Sequence, residues 1–505
     1  MRRWRTPRLG SGRARAALLV LAIASMAHVG SPDTFFAGKA GPYDVRVSVR
    51  LPGVIPGRAQ IAVRLVGVSK PQDHHVTVRA GQWNVGLNGA PPPENAAPVP
   101  GDPELYAAEL WFMTASSYQM AVAVDGPSGK GSVLVPVVAL ATAERPMPPW
   151  LGAVLAALGV FLTAGLLTII GSAVRESVLP PGVEPDDVRR RRARIGVAVM
   201  AILAGLALWG GNRWWNAEAS SYSRFILYRP FASNATVARQ GDRRTLTLSI
   251  RDPRWSVRPD PASRYNALLP DHGKLMHLFL VREPALDALA HLHPIARTRE
   301  ALDFDADVPP LPPGRYRVYG DIVHESGYAQ TLVSSVELTD AGTAAGAATD
   351  ADDSWFSGGG TAEAATATFD LGDGTRLEWQ RGDRAIDAGV ERDLRFLVRD
   401  ASGAPATVEP YMGMAAHVVI ASRDASVFAH LHPSGSISMA AMQKFAGAAA
   451  ADPHAGHAMP VESAVAIPYA FPNAGPFRIF VQVKRGGAVK TAAFDVDIRP
   501  VKVRP

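Results

Sequence analysis

The pentapeptide AHLHP occurs twice, at residues 290–294 and 429–433. Alternate residues of an extended strand share a face, so His291 and His293 project to one side, and so do His430 and His432. Two imidazoles at that spacing are a natural two-point chelate for a borderline metal ion. Each pair is preceded by another histidine, His277 lying 14 residues before His291 and His417 lying 13 before His430. In the first copy His324 shares its parity with Tyr316, Val318 and Ile322, which turns it inward near a strand end. The expectation is a site built from His277, His291, His293 and His324, with His272 as a further ligand, suited to Cu(II) or zinc. The second copy is expected to hold its own, different site. It keeps His417, His430 and His432, has Met412 where the first has His272 and Arg485 where the first has His324. It adds Met414 and an insertion with His454, His457 and Met459. Thioether beside imidazole favours copper, Met being the soft ligand for Cu(I). Copper is therefore the expected ion and zinc the alternative.

A competing reading makes the same residues structural. His-x-His before a proline also suits a hydrogen-bonded strand end, and a duplicated domain repeats its structural residues as well as its ligands. On that reading the chain is a scaffold that holds a protein partner, without metal.

The elements that must position these residues come as a tandem repeat. RTLTLSIRD (244–252) aligns with RDLRFLVRD (392–400), and PDHGKLMH (270–277) with PYMGMAAH (410–417). The two AHLHP elements follow, and then PPGRYRVYGDIVHESG matches NAGPFRIFVQVKRGG. Four landmarks in one order at similar separations indicate duplication. Period-two alternation broken by Pro and Gly turns predicts β-sandwiches over 219–340 and 366–498. The small-residue stretch 341–365 reads as a flexible linker. Residues 40–145 have the same texture and predict an N-terminal sandwich, a diverged third copy without the histidine landmarks.

Two apolar segments, 150–174 and 195–215, each reach the roughly 20 residues that cross a bilayer. The loop between them, 175–194, carries RRRR, and the positive-inside rule places it in the cytoplasm. The first 27 residues, arginines followed by an apolar run and a small-x-small triplet, read as an export signal or an uncleaved anchor. Together these predict a bacterial inner-membrane protein in the lipid bilayer, its soluble domains facing the periplasm, with a membrane or periplasmic protein as a further partner. The net charge of +6 sits mostly in the N-terminal arginines and that loop, which points to a membrane and not to nucleic acid. The chain has no cysteine, which excludes disulfides, thiolate metal sites and thiol catalysis. With no Walker-type loop, no G-x-S-x-G elbow and no carboxylate spaced as a general base, no enzymatic activity is expected.

The strand and turn pattern of each unit resembles the bacterial YtkA-like extracytoplasmic β-sandwich proteins, and the His and Met content is similar to that of periplasmic copper-handling proteins. The resemblance implies a mainly β fold of tandem immunoglobulin-like or cupredoxin-like sandwiches beside the two transmembrane helices. It also implies a role in copper homeostasis or cuproenzyme assembly. It supplies no ligand set, so the candidate ligands rest on the residues of this sequence.

Overall fold

Strict alternation fixes the strands. In Arg243–Ile250, RRTLTLSI, Leu246, Leu248 and Ile250 are buried at every second position, which is the signature of a sheet with one face in a core. The computed structural model describes residues 28–29, 33–255, 267–298, 302–342, 350–358, 367–382, 384–446 and 463–500. The chain is mainly β, with several sandwich-like sheets and two long apolar helices.

Strands of both repeats frame the site. In the first repeat they are β1 (His277–Arg282), β2 (Ala288–Leu292), β3 (Gly314–His324) and β4 (Ala329–Leu338). Next comes β5 (Ser354–Ser357). In the second repeat they are β6 (His417–Ser422), β7 (Val427–Leu431), β8 (Gly475–Arg485) and β9 (Ala488–Arg499). The registers of the two repeats coincide. Phe279 pairs with His291 across β1 and β2, and Val419 with His430 across β6 and β7. His277 faces Asp321 across β1 and β3, while His417 faces Gln482 across β6 and β8.

Each repeat has its own core on the inner face of its sheet. Leu278, Leu280, Ala290, Leu292, Tyr316 and Val318 belong to the first, and Val418, Ile420, Ala429, Leu431, Ile479 and Val481 to the second. A third apolar cluster joins the outer faces: Phe279, Val281, Leu289 and Tyr319 from the first repeat pack with Val419, Phe428 and Phe480 from the second. Tyr319 stacks on Phe428 with ring centroids 3.9 Å apart. The face that alternation alone would leave to solvent is therefore buried against the other repeat.

The stretch read as a linker contributes to this interface. β5 pairs antiparallel with β2, Trp355 opposite Ala290 and Ser354 opposite His291, and Phe356 packs against the shared cluster. The N-terminal region forms an eight-stranded sheet running from Thr34–Ala40 to Gly129–Ala139. Its first strand reaches the turn after the second AHLHP, where Ala37 N donates to Ser434 O at 2.9 Å and Ser436 N to Phe35 O at 2.9 Å. Gly435, at φ +112°, is required there, because a Cβ would stand 2.0 Å from Phe35 O.

The two helices, α1 (Pro149–Glu176) and α2 (Asp187–Ser221), belong to a separate compact unit. Both are long and apolar enough to cross a membrane. They are longer than hydropathy alone indicates: Asp186 caps α2, its carboxylate accepting from Arg189 N at 2.7 Å. The RRRR run thus forms the first turns of α2 and is not a loop, since a capped N-terminus lets the helix begin before its apolar stretch. The expected signal segment, residues 1–27, lies outside the described residues.

Candidate metal centre

The outer-face parity of β1, β2, β6 and β7 decides where the histidines go. His277 and Phe279 share a face, as do Leu289, His291 and His293; in the second repeat His417 goes with Val419, and Phe428 with His430 and His432. Because those faces pack on each other, the two expected sites merge into one cluster of seven imidazoles. Ring centroids of His277 and His430 are 5.4 Å apart, those of His291 and His417 6.0 Å, and those of His291 and His430 5.6 Å. His277, His291, His293, His417 and His432 are buried. The candidate ligands expected separately in each repeat are therefore neighbours in one cluster.

The remaining candidates fall differently. His272 sits in a tight turn at φ 52°, followed by Gly273 at φ 79°. From there it reaches the second repeat, its ring 5.4 Å from both His417 and His432. Asp271 anchors that turn by accepting from Ala440 N at 2.8 Å, at the start of the short helix Met439–Ala446. His324 does not join the cluster. Its inward parity places it beside Phe231, Trp255 and Tyr328, with ring centroids 6.0, 5.4 and 5.8 Å away. That is its own repeat's inner side, whereas the clustered histidines lie on the outer one. Met412 occupies the equivalent turn of the second repeat, at φ 50° before Gly413 at φ 80°, and Met414 is buried two residues on. His454, His457 and Met459 lie outside the described residues.

Outer partners set which nitrogen each ring presents. His293 Nδ1 is 3.0 Å from Asp353 Oδ1, His430 Nδ1 is 3.2 Å from Asp321 Oδ2, and His291 Nδ1 is 2.9 Å from Gln482 Oε1. The carboxylates and the amide oxygen only accept, so in all three rings Nδ1–H donates, which leaves Nε2 as the atom turned away from these partners. The Gln482 amide is oriented by donating to Ser354 Oγ at 2.7 Å. Tyr411 donates to Asp352 O at 2.9 Å, which leaves its oxygen as a second acceptor for His291 Nδ1 at 3.2 Å. His277 Nε2 lies 3.2 Å from Asp271 O, so it donates and Nδ1 is the bare atom, 3.1 Å from His291 Nε2. Two bare nitrogens that close repel each other. They are also spaced as two ligands of one ion, since donors 2.0–2.1 Å from a tetrahedral centre stand about 3.3 Å apart.

The donor set fits a metal on a second ground. His293 Nε2, His430 Nε2 and both ring nitrogens of His417 are buried with no hydrogen-bond partner among the described residues. Each such atom costs about 1–3 kcal/mol, so four together call for something to bind them. Burial pushes His277, His291, His417 and His432 well below the usual imidazole range, and the neighbouring rings push the same way. They are neutral at neutral pH, the form that ligates metal. Three groups among the described residues bring donor atoms within 4.8 Å of one another: His277, His291 and His293; His272, His417 and His432; and His293, Asp350 and Asp353. In the last, Asp350 is held by Lys274 and Asp353 by His293, so this group is an outer layer around the first.

Sequence reasoning did not find Asp321, Asp353, Tyr411 or Gln482. The alignment that equates Asp321 with Gln482 was available, but which ring each would meet depends on the opposite repeat.

The family model described as "Domain of unknown function (DUF8832)" matches residues 232–339 and 367–500. Both repeats are similar to that domain. The matched stretches hold all seven clustered histidines, while Asp350 and Asp353 fall in the gap between them. No curated protein matches the chain. Among solved structures, alpha-2-macroglobulin of E. coli is 8% identical, with 92% of this chain and 22% of that one covered and a TM-score of 0.20. The FN1–FN3 domains of chicken CNTN1 are 9% identical over 89% of this chain and 97% of that one, with a TM-score of 0.14. The ICAM-5 D1–D4 ectodomain fragment is 9% identical over 93% and 84%, with a TM-score of 0.15. The chain spans about a fifth of the length of the first of these, and at such scores none of the three bears on fold or function.

Proposed function

We propose that this protein is a membrane-anchored metal-binding protein whose β domains face the extracytoplasmic side and handle copper. The observation that carries the reading is the set of buried imidazoles whose Nδ1–H groups are held by Asp321, Asp353 and Gln482. Metal-ligating histidines are oriented in this way, the second nitrogen donating to a carboxylate or carbonyl. Imidazole donors without thiolate suit copper and zinc alike. Met412, in the turn that in the first repeat carries His272, is what favours copper as the physiological ion.

The test uses the full chain in detergent, stripped with a chelator and titrated with Cu(I), Cu(II) and Zn(II). His291→Ala/His293→Ala and His430→Ala/His432→Ala should each weaken binding by at least 100-fold. Unchanged affinity in both variants would sink the reading. A scaffold without metal predicts that outcome, together with a protein partner recovered by crosslinking; the apolar cluster around Phe279 and Phe428, which joins the repeats by itself, is the observation on its side.

The arginines at the start of α2 support a cytoplasmic position for the segment between the helices. The chain has no cysteine, so Glu184→Cys introduces a unique thiol between the helices. An impermeant maleimide should label it only after the inner membrane is opened; labelling in intact spheroplasts would reverse the orientation.

A further inference from the structure

We infer that the cluster holds two metal ions and not one, and that the second is bound jointly by the two repeats. The inference rests on the metal-binding reading above and adds the number of ions and their ligands. Seven imidazoles exceed what one copper or zinc ion takes, commonly four ligands. Their donor nitrogens separate into two triads with no shared member, His277, His291 and His293 in one and His272, His417 and His432 in the other, each with its atoms within 4.8 Å. His430 stands between them, its ring 5.4 Å from His277 and 4.6 Å from His432.

The triads are not equivalent. All three ligands of the first come from one repeat, and each ring is oriented by an acceptor: Asp271 O, Gln482 Oε1 and Asp353 Oδ1. The second draws His272 from the first repeat and His417 and His432 from the second. His417 presents two buried nitrogens without hydrogen-bond partners among the described residues, whereas every ring of the first triad has one, so this triad depends on an ion more than the first does. An ion there spans the interface, and filling it ties the turn at His272 to strands β6 and β7.

The experiment is metal stoichiometry and EPR on the full chain, stripped and reloaded with Cu(II). The wild type should bind two ions per chain, and as the second enters, the isolated-ion spectrum should broaden and a half-field transition of coupled ions appear. His272→Asn is the informative variant, because Asn tolerates the left-handed backbone that this turn requires and the cores are untouched. It should keep one ion with an uncoupled spectrum. Saturation of the wild type at one ion overturns the inference and leaves metal binding intact. Two coupled ions surviving in His272→Asn would remove the joint ligation. No bound metal at all would overturn this inference and the proposed function together.

Discussion

At the scale of single residues, three of the clustered rings are oriented by partners far away in the chain. His430 meets Asp321 at a separation of 109 residues, His293 meets Asp353 at 60 and His291 meets Gln482 at 191. No local pattern encodes contacts made by the opposite repeat or by a stretch whose composition reads as linker. These partners set ring tautomers, and loss of such an outer contact costs about 10–100-fold in metal affinity. Asp353→Asn and Asp321→Asn are therefore expected to weaken copper binding by that factor without unfolding the chain, measured by competition with a chromophoric chelator. An effect below twofold in both would mean that the carboxylates do not orient ligands. His324 shows the converse limit: its inward parity was readable and correct in direction, but the inward side is its own repeat's aromatic core and not the face that carries the other histidines.

At the scale of elements, alternation gave the strands and the landmarks gave their duplication. What alternation could not give was the fate of the outer faces, since a strand with one apolar face reads the same whether the other meets water or a second sheet. The signal was present in β1 and β6, HLFLVR and HVVIAS, where every residue except Arg282 is buried. Runs without polar alternation mark strands covered on both sides. Read that way, both His-bearing sheets are interior, and the convergence of the two AHLHP elements becomes readable too. The linker strand β5 was hidden for a different reason: only four residues, SWFS, pair within a segment dominated by Ala, Gly and Thr.

At the scale of the whole molecule, the buried imidazoles couple stability to pH. In the native metal-free chain His277, His291, His417 and His432 are held below the usual range by burial and by each other, while in the unfolded chain they titrate near about 6.5. The unfolded state therefore binds more protons once the pH falls through about 6.5, and stability falls with it, by as much as ~1.4 kcal/mol per pH unit for each histidine. The melting temperature of the stripped chain, followed by tryptophan fluorescence, should be flat above about pH 7.5 and drop steeply between about pH 6.5 and 5. A flat profile through that interval would show that the cluster is hydrated and not buried. Bound metal should hold the melting temperature up at neutral pH, by mass action on the native state.

The reciprocal contacts across the interface, His291 to Gln482 and His430 to Asp321, have the form of a twofold axis without its identity. Two separate copies of one domain meeting about such an axis would have to carry the same residue on both sides, two aspartates or two glutamines. Covalent fusion lifts that obligation. One chain can place a carboxylate behind one ring and a neutral amide behind the other, and a histidine in one turn and a methionine in its twin. Each half can then change its side of the shared centre without the change being imposed on the other half.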